Sequence, residues 1–270
     1  MKCFLCNSKK ISLLKMNTGN VNQCVSCSLQ FIDEKKNEDK SKYLKKYFKS
    51  RNENSKLTKL RKIQYDLDVE HLIRNISKGN ILDVGCSTGI FLDKLYKKSK
   101  LNLYGIDIDE DAIKIAKKQF NKKINFFKTN LINWDTNLKF DCIIFRGSFQ
   151  FLGKDLNESM EKISNICSNK SKIIVYSLPN SDSILYHILK DKWHMFDRFS
   201  HTLIFNRNSI MYLAKKFDYS VVECSYPYLE TPYANINKDY EKLKKLIKFG
   251  KNESFPFWGN IMQVVLEKNT

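Results

Sequence analysis

The chain has 270 residues, 42% hydrophobic and 13% aromatic, so it can bury a core as one large domain with a small appendage. Its longest apolar runs have the length of strands and its N-terminus lacks signal-peptide features, so we expect a cytoplasmic protein with reduced thiols and no membrane span. The net charge of +18 comes with 41 Lys but only 6 Arg. Because Arg is the better reader of phosphates and bases, this balance favours a lysine-coated surface over a nucleic-acid face.

Four of the eight cysteines lie near the N-terminus. Cys3, Cys6, Cys24 and Cys27 form two Cys-x2-Cys pairs separated by seventeen residues. This spacing favours a tetrahedral Zn²⁺ site, and four protein ligands make such a site structural rather than catalytic. Four unligated thiols or a redox pair are the alternatives. A small zinc ribbon is therefore predicted over residues 1–32.

A helical linker or lid is predicted over residues 33–78. Its first helix is expected around Tyr47 and its second from Leu57 to Ile76, on the spacing of apolar residues. The second helix is expected to bury Leu60, Ile63, Leu67, Leu72 and Ile76.

Strands and helices alternate over residues 79–270. The strands are predicted at 81–84, 101–106, 124–127, 140–145, 172–177, 220–226 and 260–267. Helices are predicted at 90–98, 109–120, 156–167 and 209–217. This rhythm predicts an α/β fold with a doubly wound, mostly parallel, seven-stranded Rossmann-like sheet.

A candidate cofactor site follows the first of these strands. Asp83 ends the strand, and the next turn contains Gly85, Ser87 and Gly89 before a helix starts. Small residues let backbone N–H groups approach a ligand, and a helix N-terminus favours negative charge. Asp107 ends the second strand, where a carboxylate can accept both ribose hydroxyls of a nucleoside. No Gly-x4-Gly-Lys-Ser/Thr loop occurs, and Ser87 stands where a dinucleotide site has its second glycine.

These motifs resemble those of class I S-adenosylmethionine-dependent methyltransferases. Residues 81–89 are similar to the first motif of that family, 105–107 to the second and 140–145 to the fourth. Residues 176–180 and 193–219 resemble the fifth-strand ending and the insert of a subgroup that acts on small molecules. The N-terminal cysteines resemble the zinc ribbon that precedes such domains in polysaccharide-biosynthesis methyltransferases. The resemblance implies S-adenosylmethionine as cofactor and Zn²⁺ as structural metal.

The resemblance also implies which residues meet the cofactor. Those expected there are Asp83, Gly85, Cys86, Ser87 and Gly89 in the turn, Asp107 and Ile108 at the ribose and adenine, Asn130 and Leu131 near the adenine, and Arg146 at the floor. Two of them have an equal or added packing role: Arg146 as a salt-bridged rim residue and Cys86 as a small core residue. The family frequently has Glu-His where this chain has Gln150-Phe151.

The acceptor determines whether a base is needed. A sugar hydroxyl has a high pKa and requires one, whereas a carboxylate does not. Of the four histidines, His71 and His187 are predicted to be surface or packing residues. His201, and after it His194, are the candidate bases because they lie in the insert that by resemblance caps the acceptor pocket; ordering the insert is an equal alternative for His201. Three aromatic residues are candidates either for lining this pocket or for packing: Trp193, Tyr228 and Tyr233.

The sequence therefore predicts an enzyme that transfers a methyl group from S-adenosylmethionine to a small-molecule acceptor, a sugar or sugar-nucleotide hydroxyl in polysaccharide biosynthesis. An rRNA or tRNA base methyltransferase is one alternative. The +18 charge suits it, but Cys27 supplies the ligand that is usually histidine in such zinc modules, and an Asn-Pro-Pro-Tyr-type motif is lacking. The other alternative is a non-catalytic zinc-ribbon binding protein on a methyltransferase scaffold, against which the intact Asp83 and Asp107 argue.

Overall fold

The computed structural model describes residues 1–17, 19–32, 58–120, 122–196, 202–250 and 255–270. The helix predicted around Tyr47 and the candidate base His201 lie outside these residues. The strands are β1 (Ile11–Met16), β2 (Gly19–Cys24), β3 (Gln30–Phe31), β4 (Asn80–Val84), β5 (Asn102–Asp107), β6 (Asn125–Lys128), β7 (Phe140–Arg146), β8 (Cys167–Pro179), β9 (Leu203–Ile204), β10 (Tyr219–Ser225) and β11 (Ile261–Lys268). The helices are α1 (Lys59–Asn75), α2 (Ile90–Lys98), α3 (Glu110–Phe120), α4 (Leu156–Ile166), α5 (Ile184–Leu189), α6 (Arg207–Lys216) and α7 (Ile236–Phe249).

A seven-stranded sheet has the strand order β10-β11-β8-β7-β4-β5-β6. The strands from β8 to β6 run parallel, and β11 lies antiparallel between β8 and β10. From β4 the chain builds outward through β5 and β6, then returns to add β7 on the other side of β4. Ligands of such sheets bind where the strand order reverses, at the carboxyl ends of the strands. The predicted doubly wound sheet is confirmed, and its reversal point places the candidate site after β4.

Each face of this sheet carries its own apolar core. One face packs against α1, α2 and α3, with Ile81, Ile144 and Ile174 among the buried sheet residues. The other face packs against α4 and α6, with Phe145 and Val175 among the buried residues. The near-continuous apolar runs of the central strands follow from this burial on both sides.

The N-terminal residues share the second of these cores. Leu5, Leu29 and Phe31 are buried in the same apolar cluster as β7 and β8. A four-stranded sheet of order β1-β2-β3-β9, here called the N-terminal sheet, joins this segment to the insert after α5. Gln30 pairs with Ile204 across its β3–β9 junction. The sequence analysis did not predict the pairing with β9, because two-residue strands carry no periodicity.

Helix α1 is confirmed, but its predicted buried side is partly wrong. Leu60, Ile63 and Leu67 are exposed. Leu72 is buried as predicted, together with Tyr65 and Asp68, which the apolar spacing did not place on the buried side. The rotation of the helix follows from its polar contacts, since Asp68 forms a buried ion pair with Arg146 on β7.

Helix α7 was not predicted. Its sequence mixes lysines with apolar residues, and several of the latter face outward. Within the part of the chain that the structure describes, no helix has both the length and the apolar character needed to cross a bilayer.

Candidate cofactor site

Asp83 occupies the centre of the site at the end of β4. Its side chain is fully buried, and its Oδ1 atom has no hydrogen-bond partner. Burial raises the pKa of the Asp83 carboxyl to about 7, with the positive charge of Arg146 opposing this shift and the negative charge of Asp107 adding to it. A buried acceptor without a donor is costly, which points to a ligand group that donates to it.

The turn after β4 requires glycine at two positions. Gly85 has φ +83°, and a Cβ atom there would lie 2.8 Å from the Cβ of Ser148. Gly89, the N-cap of α2, has φ +75°, and its Cβ would lie 2.6 Å from the Cζ of Phe126. A side chain at either position would collide with its neighbour. The positive φ would also strain the backbone of any residue other than glycine. The turn therefore presents bare backbone where α2 begins.

Asp107 is held against this turn by backbone donors. Its Oδ2 accepts from the N–H of Ser87 at 2.8 Å, and its Oδ1 accepts from the N–H of Asp109 at 2.9 Å. Burial raises the pKa of Asp107, while these two N–H groups oppose the shift. Ile108 follows with an exposed apolar side chain. The pair offers a carboxylate and an apolar surface side by side.

The other predicted residues of this group differ in what they offer. The Cys86 thiol is buried beside Gly105, where a Cβ would lie 2.7 Å from its Sγ, so the side chain belongs to the core as expected. Leu131 is also a core side chain. Asn130 is exposed, and its Oδ1 accepts from the N–H of Asn133 at 2.7 Å.

Arg146 leaves the end of β7 on the side of Asp83. Its Nε atom lies 2.8 Å from Oδ2 of Asp68, and its guanidinium carbon lies 3.7 Å from the centroid of the Tyr65 ring. The ion pair of the salt-bridged alternative is thus present. The positive charge remains close enough to Asp83 to act on its pKa. Arg146 joins α1 to the floor of the site.

The contacts of Asp68 extend through a buried polar network. The Tyr176 hydroxyl donates to the backbone oxygen of Asp68 at 3.0 Å and lies 2.9 Å from Nδ1 of His71. Nε2 of His71 lies 2.9 Å from Oε2 of Glu223 on β10. His71 was predicted to be a surface or packing residue; it instead links α1 to β8 and β10. The sequence does contain a signal for this role. Asp68 lies four residues before Leu72 and three before His71, so Asp68 and His71 could have been predicted to face the sheet together with Leu72.

The insert after α5 lies at the carboxyl ends of β7 and β8. The Thr202 hydroxyl donates to the backbone oxygen of Gln150 at 3.4 Å, just after β7. Asn180, just after β8, forms a bridge with Phe205. His194 is exposed, with its ring centroid 6.1 Å from that of Trp193. The insert therefore approaches the edge of the sheet at which the site lies.

Two of the three aromatic candidates for the acceptor pocket are packing residues. Trp193 is buried in a third apolar cluster between the insert and α7. Tyr228 is buried, and its hydroxyl donates to Oδ2 of Asp239 at 2.8 Å. Tyr233 is 39% exposed. The partial burial of its phenol raises the pKa of this group, while the charges of Arg146 and Arg61 oppose the shift. Of these three residues, Tyr233 is the exposed one, and the charge of Arg146 acts on its phenol.

The four N-terminal cysteines converge as predicted. The Sγ atoms of Cys3, Cys6, Cys24 and Cys27 all lie within 4.8 Å of one another. The Cys3–Cys27 pair is 3.5 Å apart and the Cys6–Cys24 pair 3.3 Å apart. Tetrahedral Zn–S bonds of about 2.3 Å require sulfur atoms about 3.8 Å apart. The donor set therefore fits a zinc ion.

The two Cys-x2-Cys segments, Cys3–Cys6 and Cys24–Cys27, have the same backbone geometry. The N–H of Asn7 donates to the oxygen of Cys3 at 3.0 Å, and the N–H of Ser28 donates to the oxygen of Cys24 at 2.9 Å. Asn7 and Ser28 both adopt left-handed conformations, with φ of 59° and 63°. Each pair thus curls around its thiols in the same way.

The strand order, the reversal point and the acidic residues at the ends of β4 and β5 are those of the class I methyltransferase fold. A family model described as a methyltransferase domain matches residues 47–224, well over half of the chain. The chain therefore belongs to this methyltransferase family, and the prediction of an enzyme of this class is confirmed.

Curated relatives match the chain over part of their length. A carboxy-S-adenosyl-L-methionine synthase from Campylobacter hominis is 34% identical over 127 residues, which are 44% of this chain and 54% of that protein. A malonyl-[acyl-carrier protein] O-methyltransferase from Ilyobacter polytropus is 34% identical over 76 residues, 27% of this chain and 29% of that protein. The chain spans about half of the first relative and less of the second.

Solved structures share the fold over most of the chain. The N-methyltransferase NodS from Bradyrhizobium japonicum, in complex with S-adenosyl-L-homocysteine, has a TM-score of 0.58 at 12% identity and covers 86% of this chain and 100% of its own. An S-adenosylmethionine-dependent methyltransferase from Clostridium acetobutylicum has a TM-score of 0.52 at 14% identity, covering 85% and 99%.

Proposed function

We propose that the protein transfers a methyl group from S-adenosylmethionine to a small-molecule acceptor. The observation that carries this proposal is the arrangement at the carboxyl ends of β4 and β5: an unpartnered buried acceptor on Asp83, a turn that requires glycine at two positions, and Asp107 held beside it. The names of the similar proteins from Campylobacter hominis and Clostridium acetobutylicum both refer to S-adenosylmethionine.

The residues of the site fit the parts of this cofactor. Asp83 offers negative charge to the ammonium group, and the bare backbone between Gly85 and Gly89 leaves room for the methionine part. Asp107 offers oxygen atoms to the ribose hydroxyls, and the exposed side chain of Ile108 offers an apolar surface to the adenine. We assign Asn130 and the backbone of Leu131 to the edge of the adenine. Arg146 acts on Asp83, because its positive charge partly offsets the rise that burial causes in the pKa of that carboxyl.

When bound, S-adenosylmethionine supplies an electrophilic methyl group on a sulfonium with a good leaving group. The chain must hold the acceptor in line and exclude water, and it must remove a proton where the acceptor has a high pKa. We assign the removal of this proton to His201, with His194 as the second candidate. Both belong to the insert whose residues Thr202 and Phe205 contact the segments after β7 and β8.

The proposed acceptor is a sugar or sugar-nucleotide hydroxyl in polysaccharide biosynthesis. Support comes from the insert, whose Thr202 and Phe205 contact the segments after β7 and β8 and so approach the methyl-transfer side of the site. Methylation of an RNA base is a second candidate, favoured by the net charge of +18.

The proposal includes a structural Zn²⁺ on the four clustered cysteines, forming a zinc ribbon over residues 1–32. A linker or lid over 33–78 and a methyltransferase domain over 79–270 complete the proposed organisation. A reducing compartment such as the cytoplasm suits these thiols, since none of the described cysteines is in a disulfide.

Calorimetry with S-adenosylhomocysteine tests the cofactor assignment. Asp107→Ala removes the ribose ligand, so we expect binding to weaken about 10- to 100-fold, the range for a lost hydrogen bond to a charged group. Asp109→Ala is the matched control, because Asp109 caps α3 through the N–H of Asp111 at 3.0 Å. Binding in the control should persist. Absence of binding by the unaltered protein would favour the non-catalytic scaffold.

Methyl transfer to defined acceptors tests the second half of the proposal. The protein is incubated with labelled S-adenosylmethionine and either sugar nucleotides or purified RNA. Label in the sugar nucleotides, lost in His201→Ala but retained in His187→Ala, is the expected result. Label in RNA alone would establish the second candidate instead.

A further inference from the structure

Helix α7 exposes an apolar stripe that its packing does not require. Ile236, Tyr240 and Ile247 lie on one side of the helix and are 58%, 53% and 65% exposed. Leu243 and Leu246 are buried in the third apolar cluster and already fasten the helix to the molecule. The stripe therefore adds exposed apolar area beside a helix that is stably docked.

The charges of α7 are almost all positive. Its lysines are Lys238, Lys242, Lys244, Lys245 and Lys248. Of its two carboxylates, Asp239 is buried and bonded to the Tyr228 hydroxyl, while Glu241 is paired with Lys244 at 2.7 Å. Apart from Lys244, the lysines of α7 therefore have no carboxylate of the helix as a partner.

An exposed tryptophan extends this surface. Trp258 is 60% exposed, and its ring centroid lies 6.4 Å from that of Tyr228. Because Tyr228 bonds Asp239 of α7, Trp258 lies next to the N-terminal half of the helix. Tryptophan prefers the interface between water and lipid headgroups, where its ring is buried and its N–H stays hydrated.

We propose that this surface, called the α7 face and formed by Ile236, Tyr240, Ile247, Trp258 and the lysines of α7, docks on an anionic phospholipid bilayer. Helices that lie in a membrane interface combine an apolar stripe, lysines on the polar side and a nearby aromatic residue. Each lysine near an anionic surface adds attraction, and the net charge of +18 adds a further attraction to anionic lipid.

A protein partner fits this composition less well. The centres of protein interfaces are depleted in lysine and enriched in arginine, and α7 carries five lysines and no arginine. Lipid headgroups instead accept flexible ammonium groups without a fixed geometry. The bilayer is therefore the occupant that the chemistry of the α7 face favours.

Co-sedimentation of the full chain with vesicles tests this proposal. Vesicles of phosphatidylcholine alone are compared with vesicles that also contain phosphatidylglycerol. We expect binding only to the second kind, falling as salt is added. Ile236→Asn with Ile247→Asn removes the apolar stripe at constant charge and should weaken binding at least about tenfold.

A charge-matched pair separates the α7 face from net charge. Lys244→Glu with Lys248→Glu should weaken binding by a similar factor, whereas Lys117→Glu with Lys118→Glu makes the same charge change on the exposed side of α3 and should have a much smaller effect. Unchanged melting temperatures would show that the variants fold. No binding to anionic vesicles, or equal losses from both lysine pairs, would overturn the proposal. A dimer that the Ile236/Ile247 variant dissociates, or RNA binding through the same lysines, would assign the α7 face to another occupant and overturn it too.

Discussion

At the scale of single residues, Asp83 makes the site sensitive to pH. Burial raises the pKa of this carboxyl to about 7 in the folded chain, whereas an unfolded aspartate titrates near 4. Between these values the folded state holds the extra proton, so this group's contribution to stability falls as pH rises from about 4 to about 7 and stays low above it. We expect Asp83→Asn to raise the melting temperature of the cofactor-free protein above that of the unaltered chain. This increase should be larger at pH 8 than at pH 5.

The same titration acts on ligand binding in the opposite direction. Since the carboxylate form attracts a cationic ammonium group, binding of S-adenosylhomocysteine by the unaltered chain should strengthen from pH 6 to pH 8. Calorimetry at both pH values checks this, with Asp83→Asn as the reference in which the dependence should be reduced. An equal pH dependence in the variant would show that another group controls it.

Asp68 and Asp66 provide a matched comparison on helix α1. The Asp68 side chain is 4% exposed and pairs with Arg146, whereas Asp66 is 41% exposed and pairs with Lys94. Removing one partner of a buried pair leaves the other charge unpaired and costs about 3–5 kcal/mol. A partly exposed pair contributes about 1 kcal/mol or less.

Urea denaturation of Asp68→Ala and Asp66→Ala measures this difference. The free energy of unfolding should fall several-fold more in the first variant than in the second. Similar small losses in both would show that Arg146 finds another partner or reaches water when Asp68 is removed.

At the scale of elements, the cysteine cluster and the insert are joined through the β3–β9 pairing. The N–H of Ile32 donates to the oxygen of Thr202 at 3.0 Å, and Phe31 pairs with Leu203. Because the proposed metal would join the two Cys-x2-Cys pairs of the segment that leads into β3, metal loss should loosen β3 and release β9. Cys24→Ser with Cys27→Ser should therefore lose zinc and speed hydrogen exchange at Leu203 and Ile204.

Cys224→Ser is the control for this experiment, since Cys224 is a half-buried thiol outside the cluster. Its zinc content and its exchange at β9 should equal those of the unaltered chain, and exchange in β4 should stay slow in both variants. Unaltered exchange at β9 after complete zinc loss would contradict the structural coupling between the cluster and the insert.

At the scale of the whole molecule, the sequence predicts what is local and periodic. The strands and helices of the central sheet follow from alternating apolar segments, and Asp83, Gly85, Gly89 and Asp107 lie in short motifs at strand ends. The contacts between Arg146 and Asp68 and between His71 and Glu223 join residues 78 and 152 positions apart, so no local pattern encodes them. Tertiary contacts of this kind also turned α1 away from its predicted face.

The same limit applies to how the chain divides into units. The composition and spacing separate residues 1–32 from the sheet, yet Leu29 and Phe31 lie in one apolar cluster with Phe145 and Val175. Two segments that share a buried core lose that core together. We therefore expect the zinc-loaded protein to unfold in a single cooperative transition, with calorimetric and van't Hoff enthalpies that agree.

Removal of residues 1–32 gives the converse experiment. It would expose part of the apolar cluster that Leu29 and Phe31 share with β7 and β8, so the truncated chain should melt at a markedly lower temperature or aggregate. Leu29→Ala in the full chain makes a smaller cavity at the same contact and should lower the free energy of unfolding by about 2–5 kcal/mol. Leu13→Ala, at an exposed position of β1, should leave it nearly unchanged. Two separate transitions, or a truncated chain that melts like the full one, would show that the N-terminal segment folds independently of the sheet.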